Sequence, residues 1–400
     1  MSGGVLVVGG SVGGIRTARA LRNEGYAGVV TVVEAESHLP YDKPPLSKAP
    51  LDGDAHVPLL TADEASELGI ELVLGRAAVE LRPQAKQVVL DDGVFLGYEE
   101  LVIATGAAAR PSPWTGPDVH VLRAIADARA LRVSLRGANR LLVVGAGFIG
   151  AEVASLARKQ GIEVTIVDPA PTPMARVVGD DLGQRFSQLH RANGVDTRFG
   201  ATVSSLEQVD GGMWAELSDG TKILVDAVVV GIGAVLNTRW LESSGLALED
   251  GVECDEYGRV AGAEHIFAVG DIARWYQPRQ EKAARVEHWT NAVEQANCVA
   301  HNISHPYSTL SHDPVAYVWS DQYDWKIQLF GTRNLEGSPA VVEQSDPFRL
   351  AAVWQDSDGR ASGGLTVNWP KASVQLRRTI AAGGPAEQVH AQLAGTAVQA

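Results

Sequence analysis

The same succession of apolar and polar blocks occurs twice along this chain. An apolar run, Val5–Val8, stops at a glycine turn; residues 15–24 then read as a helix, and a second apolar run at residues 29–33 ends in Glu34. The pattern returns as an apolar run at 141–144, a glycine turn, a helix over about 149–160 and a run at 164–167 ending in Asp168. Strand, glycine turn, helix, strand and acid is the order of a dinucleotide-binding βαβ unit, so the pattern predicts an α/β fold with two Rossmann-like domains. The two copies start at residues 5 and 141, 136 apart. That is a domain length and far too long for a solenoid repeat.

Between the copies, residues 88–90 and 101–103 bracket Asp91-Asp92-Gly93 and predict a hairpin-like excursion. A similar pair surrounds Ser218-Asp219-Gly220, and the apolar stretch at 225–232 runs into Gly231-Ile232-Gly233. From about Pro314 the texture changes. Tyr317, Trp319, Tyr323, Trp325 and Phe330 cluster, and strand-like runs follow at 350–354 and 364–368, which predicts a small C-terminal α+β interface domain. The Gly- and Ala-rich end beyond about Gly383 reads as a frayed or loosely docked helix.

Four hundred residues predict two or three domains. The net charge of −14 excludes a general nucleic-acid or membrane-surface binder, which needs a basic footprint. No apolar run approaches the roughly 18 residues of a membrane span. Val5–Val8 is short, lacks a basic flank and leads straight into glycine, so it reads as a strand and not as the core of a signal peptide. Cys254 and Cys298 cannot build a disulfide framework, lie in no CxxC spacing and fit a reducing cytoplasm. The ten histidines show no metal-ligand spacing, and no metal is expected.

Gly145-Ala146-Gly147-Phe148-Ile149-Gly150 is a complete GxGxxG. Its first glycine permits the tight turn, its second admits a pyrophosphate to the backbone, and its third lets helix and strand pack closely. The phosphates then meet free N–H groups at the positive end of the helix dipole. Asp168 can accept from a ribose 2′-OH and repels a 2′-phosphate, and Pro169-Ala170-Pro171-Thr172-Pro173 supply no arginine, so NADH is expected there. The first turn, Gly9-Gly10-Ser11-Val12-Gly13-Gly14, carries Ser11 where the middle glycine belongs, and Glu34 closes it as a ribose acceptor. Two such sites call for two dinucleotides. A nicotinamide cofactor takes one, which leaves FAD for the other.

Residues 9–14 with Glu34, Ala104-Thr105-Gly106, the second glycine turn and Phe267-Ala268-Val269-Gly270-Asp271 resemble the two-dinucleotide, glutathione-reductase-like flavoprotein reductases. A closer resemblance, spread over essentially the whole chain, is to ferredoxin reductases of bacterial oxygenase systems, of the putidaredoxin-reductase and biphenyl-dioxygenase-reductase type. It rests on Leu39-Pro40-Tyr41-Asp42-Lys43-Pro44-Pro45-Leu46-Ser47-Lys48, on Glu287-His288-Trp289-Thr290-Asn291-Ala292 and on Trp319-Ser320-Asp321-Gln322-Tyr323.

This resemblance implies an FAD site that uses Gly9, Ser11, Gly13, Gly14, Glu34 and the backbone of Ala35 and Ala78. Lys43, Pro45, Ala104, Thr105, Gly106, Arg123, Gly270, Asp271, Glu287, His288 and Trp289 complete it. It implies an NADH site of Gly145, Gly147, Phe148, Ile149, Gly150, Glu152, Asp168, Ile232 and Gly233. Lys48 corresponds to a lysine beside the flavin N5 edge, Glu152 to its carboxylate partner and Trp319 to an aromatic residue covering the nicotinamide–flavin region; these three are the catalytic candidates. Hydride transfer needs positioning and no proton abstraction, so His288 is expected to support the Trp289 loop.

The stretch Tyr41 to Lys48 holds no cysteine, which sets aside the thiol chemistry of disulfide reductases and NADH oxidases or peroxidases. The resemblance implies FAD-binding parts at 1–109 and 235–313 around an NADH-binding domain at 110–234, with the last domain at 314–400. It implies electron transfer from NADH through FAD to a 2Fe–2S ferredoxin serving a haem-thiolate monooxygenase or ring-hydroxylating dioxygenase, in a cytoplasmic monomer or homodimer. Two other readings stay open: a rubredoxin reductase, and a flavin-bearing NADH sensor resembling apoptosis-inducing factor. Arg285 and Arg333 are candidates for docking an acidic ferredoxin.

Overall fold

The computed structural model describes residues 4–398 apart from positions 51, 52, 54, 334, 336 and 346, in two compact units. Unit 1 gathers Met1–Lys43, His56–Ala108 and Ala234–Ala316; unit 2 gathers Pro44–Ala55, Ala109–Gly233 and Tyr317–Ala400.

Unit 1 is built on a five-stranded parallel sheet, in the order Ile266–Ala268, Glu100–Ile103, Val5–Val8, Val30–Glu34, Ile70–Leu74. Its central strands are buried on both faces, which is why they read as unbroken apolar runs. The helix Val12–Asn23 crosses between Val5–Val8 and Val30–Glu34 and turns Ile15, Ala18 and Leu21 into the core. The hairpin expected between residues 88–90 and 101–103 is not formed. Gln87–Leu90 pairs instead with Phe95–Gly97, around Gly93 at φ +83°, and Ala78–Arg82 completes a small antiparallel sheet. Leu101, Val102 and Ile103 are 0% exposed and belong to the parallel sheet. Three consecutive apolar residues need cover on both faces, and a half-solvated hairpin cannot provide it.

Unit 2 repeats the plan with a parallel sheet in the order Val195–Phe199, Glu163–Asp168, Arg140–Val144, Ala227–Val230, Val119–His120. An antiparallel meander, Val203–Val209, Gly212–Leu217 and Lys222–Val225, lies in the connection between Val195–Phe199 and Ala227–Val230. The C-terminal segment is a five-stranded antiparallel sheet, in the order Tyr317–Gln322, Trp325–Gly331, Ala361–Val367, Phe348–Gln355, Ala340–Ser345, with the helices Pro370–Ala381 and Ala386–Val398. Trp325, Ile327, Leu329, Leu350 and Trp354 of this sheet share one core with Val178, Leu182 and Phe186 of the helix Ala175–Ala192. The helix Ala386–Val398 packs more closely than its composition predicts. Val389 and Leu393, one turn apart, are each 1% exposed, so the last helix docks by an apolar stripe.

Candidate functional site

In unit 1 the glycine loop is set by two close approaches. Gly9 has φ +111°, and a Cβ there would lie 2.3 Å from the Ala104 carbonyl oxygen; a Cβ on Gly14 would lie 1.8 Å from that of Gly9. The loop delivers Ser11 to the N-cap of the helix Val12–Asn23, with no cap bond from its side chain. Glu34 Oε2 accepts from Gly10 N–H at 2.6 Å and Oε1 accepts from Glu36 N–H at 3.0 Å. Ala35 is exposed beside it, and Ala78 starts the strand Ala78–Arg82.

Ala104, Thr105 and Gly106 follow the strand Glu100–Ile103 and are clamped by Asn237, which donates to Thr105 O at 2.7 Å from its side chain and to Gly106 O at 3.0 Å from its backbone. Gly270, at φ +76°, donates to the buried Gln295 Oε1 at 2.8 Å, which fixes the turn carrying Asp271. Trp289 opens the helix Trp289–Ser304 and donates from Nε1 to Asp42 Oδ1 at 2.7 Å, while Arg16 lies 5.6 Å from the indole centroid. Burial raises the Asp42 carboxyl above its ordinary value, with the Trp289 hydrogen bond opposing. Lys43 sits 3.5 Å from Glu36 and 5.0 Å from the Tyr41 ring centroid. His288 caps the Trp289 helix, and Glu287 pairs with Arg285.

In unit 2 the three glycines of the second turn separate their roles. Gly145, at φ +105°, would put a Cβ 2.3 Å from Gly231 O, and Gly150 one 2.0 Å from Gly145 O. A Cβ on Gly147 would meet nothing within 4 Å. Asp168 Oδ2 accepts from Ala146 N–H at 2.7 Å and Oδ1 from Ala170 N–H at 2.8 Å, the same two backbone bonds that Glu34 makes in unit 1. Ile149 and Ile232 stand exposed at the loop ends, and Phe148 packs toward the core around the helix Ala175–Ala192. Gly233, at φ +110°, accepts from Arg110 N–H at 2.9 Å.

Glu152, on the helix that starts at this turn, is 5% exposed and collects three donors. Lys48 Nζ and Ser320 Oγ each reach Oε1 at 2.6 Å, and Ser47 Oγ reaches Oε2 at 2.6 Å. Lys48 also lies 3.5 Å from Asp321. Pro45 begins the short helix Pro45–Lys48, and the buried Arg132 holds the chain beyond it by donating to Ala49 O at 2.9 Å, Gly53 O at 3.0 Å and Pro50 O. Trp319 lies one residue before Ser320 and stacks on Tyr317, centroids 6.1 Å apart. Arg123 donates its backbone N–H to Asp127 at 2.9 Å.

Ser47, Ser320, Asp42, Gln295 and Arg132 were not singled out from the sequence. Ser47 and Asp42 lie inside the stretch quoted for the resemblance, and Ser320 lies inside another, but a serine hydroxyl announces no role until the fold gives it a partner.

The family model described as pyridine nucleotide-disulphide oxidoreductase matches residues 3–296, and the one described as reductase C-terminal matches residues 317–399. The chain belongs to the pyridine nucleotide-disulphide oxidoreductase family. This oxidoreductase is 36% identical to the ferredoxin–NAD(+) reductase component of a p-cumate 2,3-dioxygenase system from Pseudomonas putida, over 94% of this chain and 92% of that protein. It is 34% identical to rhodocoxin reductase from Rhodococcus erythropolis, over 94% and 89% of the two chains. Among solved structures it matches the reductase of a covalent putidaredoxin reductase–putidaredoxin complex, with a TM-score of 0.88, 30% identity and 100% coverage of both chains.

The disulphide chemistry in the family's description has no means here. Both cysteines are buried; Cys254 is pushed far up by desolvation and Cys298 up to about 11, so neither offers a thiolate near neutral pH. Of the two docking candidates, Arg285 is engaged by Asp250, Glu287 and the Asp271 carbonyl, and burial lowers the Arg333 guanidinium. Neither is an exposed, uncommitted cation. Among the described residues no helix is long and apolar enough to cross a membrane.

Proposed function

We propose that this oxidoreductase carries FAD in unit 1, takes reducing equivalents from NADH bound in unit 2, and passes electrons to a 2Fe–2S ferredoxin that supplies a monooxygenase or dioxygenase. The carrying observation is the pairing of two glycine turns, each tied to its own strand-end carboxylate, in a chain whose relatives are named as ferredoxin–NAD(+) reductases.

The residues fit the groups. The open space at Gly147 leaves room for a pyrophosphate against the backbone, and the helix Phe148–Lys159 presents its unpaired first N–H groups there. Asp168 spends one lone pair of each oxygen on the loop and keeps the others for ribose hydroxyls. Unit 1 offers the matching arrangement through Ser11, Gly13, Gly14 and Glu34, with Asp271 held on its turn. When bound, FAD supplies the acceptance of a hydride and the release of electrons singly. Glu152 fixes the Lys48 ammonium with the help of Ser47 and Ser320, so a positive charge stands preorganised and needs no rearrangement during turnover. Asp42 and Arg16 hold the Trp289 indole in place. Two buried, free thiols support a cytoplasmic location.

An anaerobic stopped-flow titration tests this reading. NADH should bleach the flavin absorbance quickly, NADPH much more slowly, and a 2Fe–2S ferredoxin should restore it. Bleaching without reoxidation by ferredoxin would move the reading to a rubredoxin reductase or an NADH sensor. A protein unable to take up FAD would overturn it.

A further inference from the structure

Away from the nucleotide loops, unit 1 brings two histidines and a carboxylate together. His301 lies in the last turn of the helix Trp289–Ser304, and His305 caps it. Glu24 caps the C-terminal end of the helix Val12–Asn23. Its Oε2 lies 3.1 Å from His301 Nδ1 and 3.0 Å from His305 Nε2. The other ring nitrogen of His301, Nε2, is 2.9 Å from the Ser308 carbonyl oxygen.

This bonding asks for a cation. A carbonyl oxygen only accepts, so His301 Nε2 carries the hydrogen. In a neutral imidazole that leaves Nδ1 a bare lone pair, facing a carboxylate oxygen that is also only an acceptor. A proton or a metal ion must lie between them. A backbone carbonyl on the far nitrogen is the arrangement that orients metal-binding histidines and fixes their tautomer. The separations of 3.0 and 3.1 Å approach about 3.3 Å, the edge of a tetrahedron with bonds of about 2.0 Å. All three ligand atoms lie within 4.8 Å of one another, and the His305 side chain, 43% exposed, can rotate to close the remaining gap. Both helices also point their negative C-terminal ends at this spot.

We propose that Glu24, His301 and His305 form a binding site for a borderline divalent cation of the zinc type, completed by water. Imidazole nitrogens favour zinc, nickel or copper, whereas magnesium and calcium want oxygen shells. The ion staples the C-terminal end of the helix after the first glycine turn to that of the helix opened by Trp289. His301 and His305, four residues apart at one helix end, do have the spacing of a helical metal pair and correct the expectation of none; the third ligand, Glu24, lies 277 positions from His301 and only the fold brings it in.

The test uses the FAD-loaded full chain, stripped of metal by a chelator and titrated calorimetrically with zinc chloride alone, then with magnesium chloride. One zinc per chain, no magnesium binding and a raised Tm with zinc are expected. His305→Ala and Glu24→Gln should each weaken zinc binding tenfold or more while flavin content stays unchanged. Zinc-edge anomalous scattering from crystals of the unaltered protein should place a peak among the three side chains. No zinc uptake, affinity unchanged in both variants, or a peak elsewhere would overturn the proposal.

Discussion

Lys48 and Glu152 stand 104 positions apart in sequence, yet Nζ and Oε1 meet at 2.6 Å. The carboxylate is almost wholly buried, and two serine hydroxyls complete its shell. A buried carboxylate is tolerable only with such partners, and its removal strands three donors. Glu152→Ala is expected to lower stability by about 3 kcal/mol, and Ser47→Ala or Ser320→Ala by about 1 kcal/mol each. Urea unfolding of the FAD-loaded protein measures this. Glu152→Gln should retain most of the stability yet slow flavin reduction by NADH, because the lysine loses its fixed counter-charge. A Glu152→Gln variant with an unaltered reduction rate would leave the pair a purely structural role.

Gly147 and Gly150 belong to one motif and should fail differently. A methyl on Gly147 enters open space, so Gly147→Ala should fold normally and weaken NADH binding by tenfold or more, about 1.4 kcal/mol. A methyl on Gly150 would stand 2.0 Å from a backbone oxygen, so Gly150→Ala should lower Tm sharply. Melting curves beside stopped-flow NADH titrations separate the two. Equal thermal damage from both would refute the division of roles.

Asp168 faces two demands, the Ala146 and Ala170 N–H groups and the expected ribose. Asp168→Asn keeps an acceptor and removes the charge that repels a 2′-phosphate. The ratio of kcat/KM for NADPH over NADH should rise at least tenfold, mostly through lost NADH efficiency. Steady-state kinetics with a fixed ferredoxin concentration measure it.

His190 is buried with its Nδ1 2.8 Å from the Tyr323 hydroxyl, and desolvation lowers it from 6.5 to about 4. Between those values the unfolded chain binds a proton that the folded protein refuses. The stability linked to this ring is therefore complete above pH 6.5 and is lost as pH falls toward 4, by up to about 3 kcal/mol. His312, likewise buried and lowered to about 4, acts in the same window and direction in unit 1. His190→Leu should flatten part of the fall in urea stability between pH 6.5 and 4. A slope identical to that of the unaltered protein would remove His190 from the account.

The two βαβ units were legible because their signals are local. A buried parallel strand must be an apolar run, a tight phosphate turn must be glycine, and a strand-end acid must follow at a set distance; in the second unit the run at 141–144, residues 145–150 and Asp168 meet these demands within about 30 residues. The absence of a cysteine between Tyr41 and Lys48 was equally plain, and it excluded a whole chemistry. Residues 101–103 misled because an apolar run does not say which neighbour it pairs with. The choice between a hairpin and a central position depends on what covers its two faces.

Tertiary structure alone decided which side chains meet. Ser47, Lys48 and Ser320 converge on Glu152 from separations of 105, 104 and 168 residues, and Asp42 reaches Trp289 across 247. Hydrogen bonds act over about 3 Å, while sequence patterns report only the periodicity of one element at a time. The elements and nucleotide turns of this protein were written in its sequence; the partners of its buried charges came into being only when distant strands and helices packed.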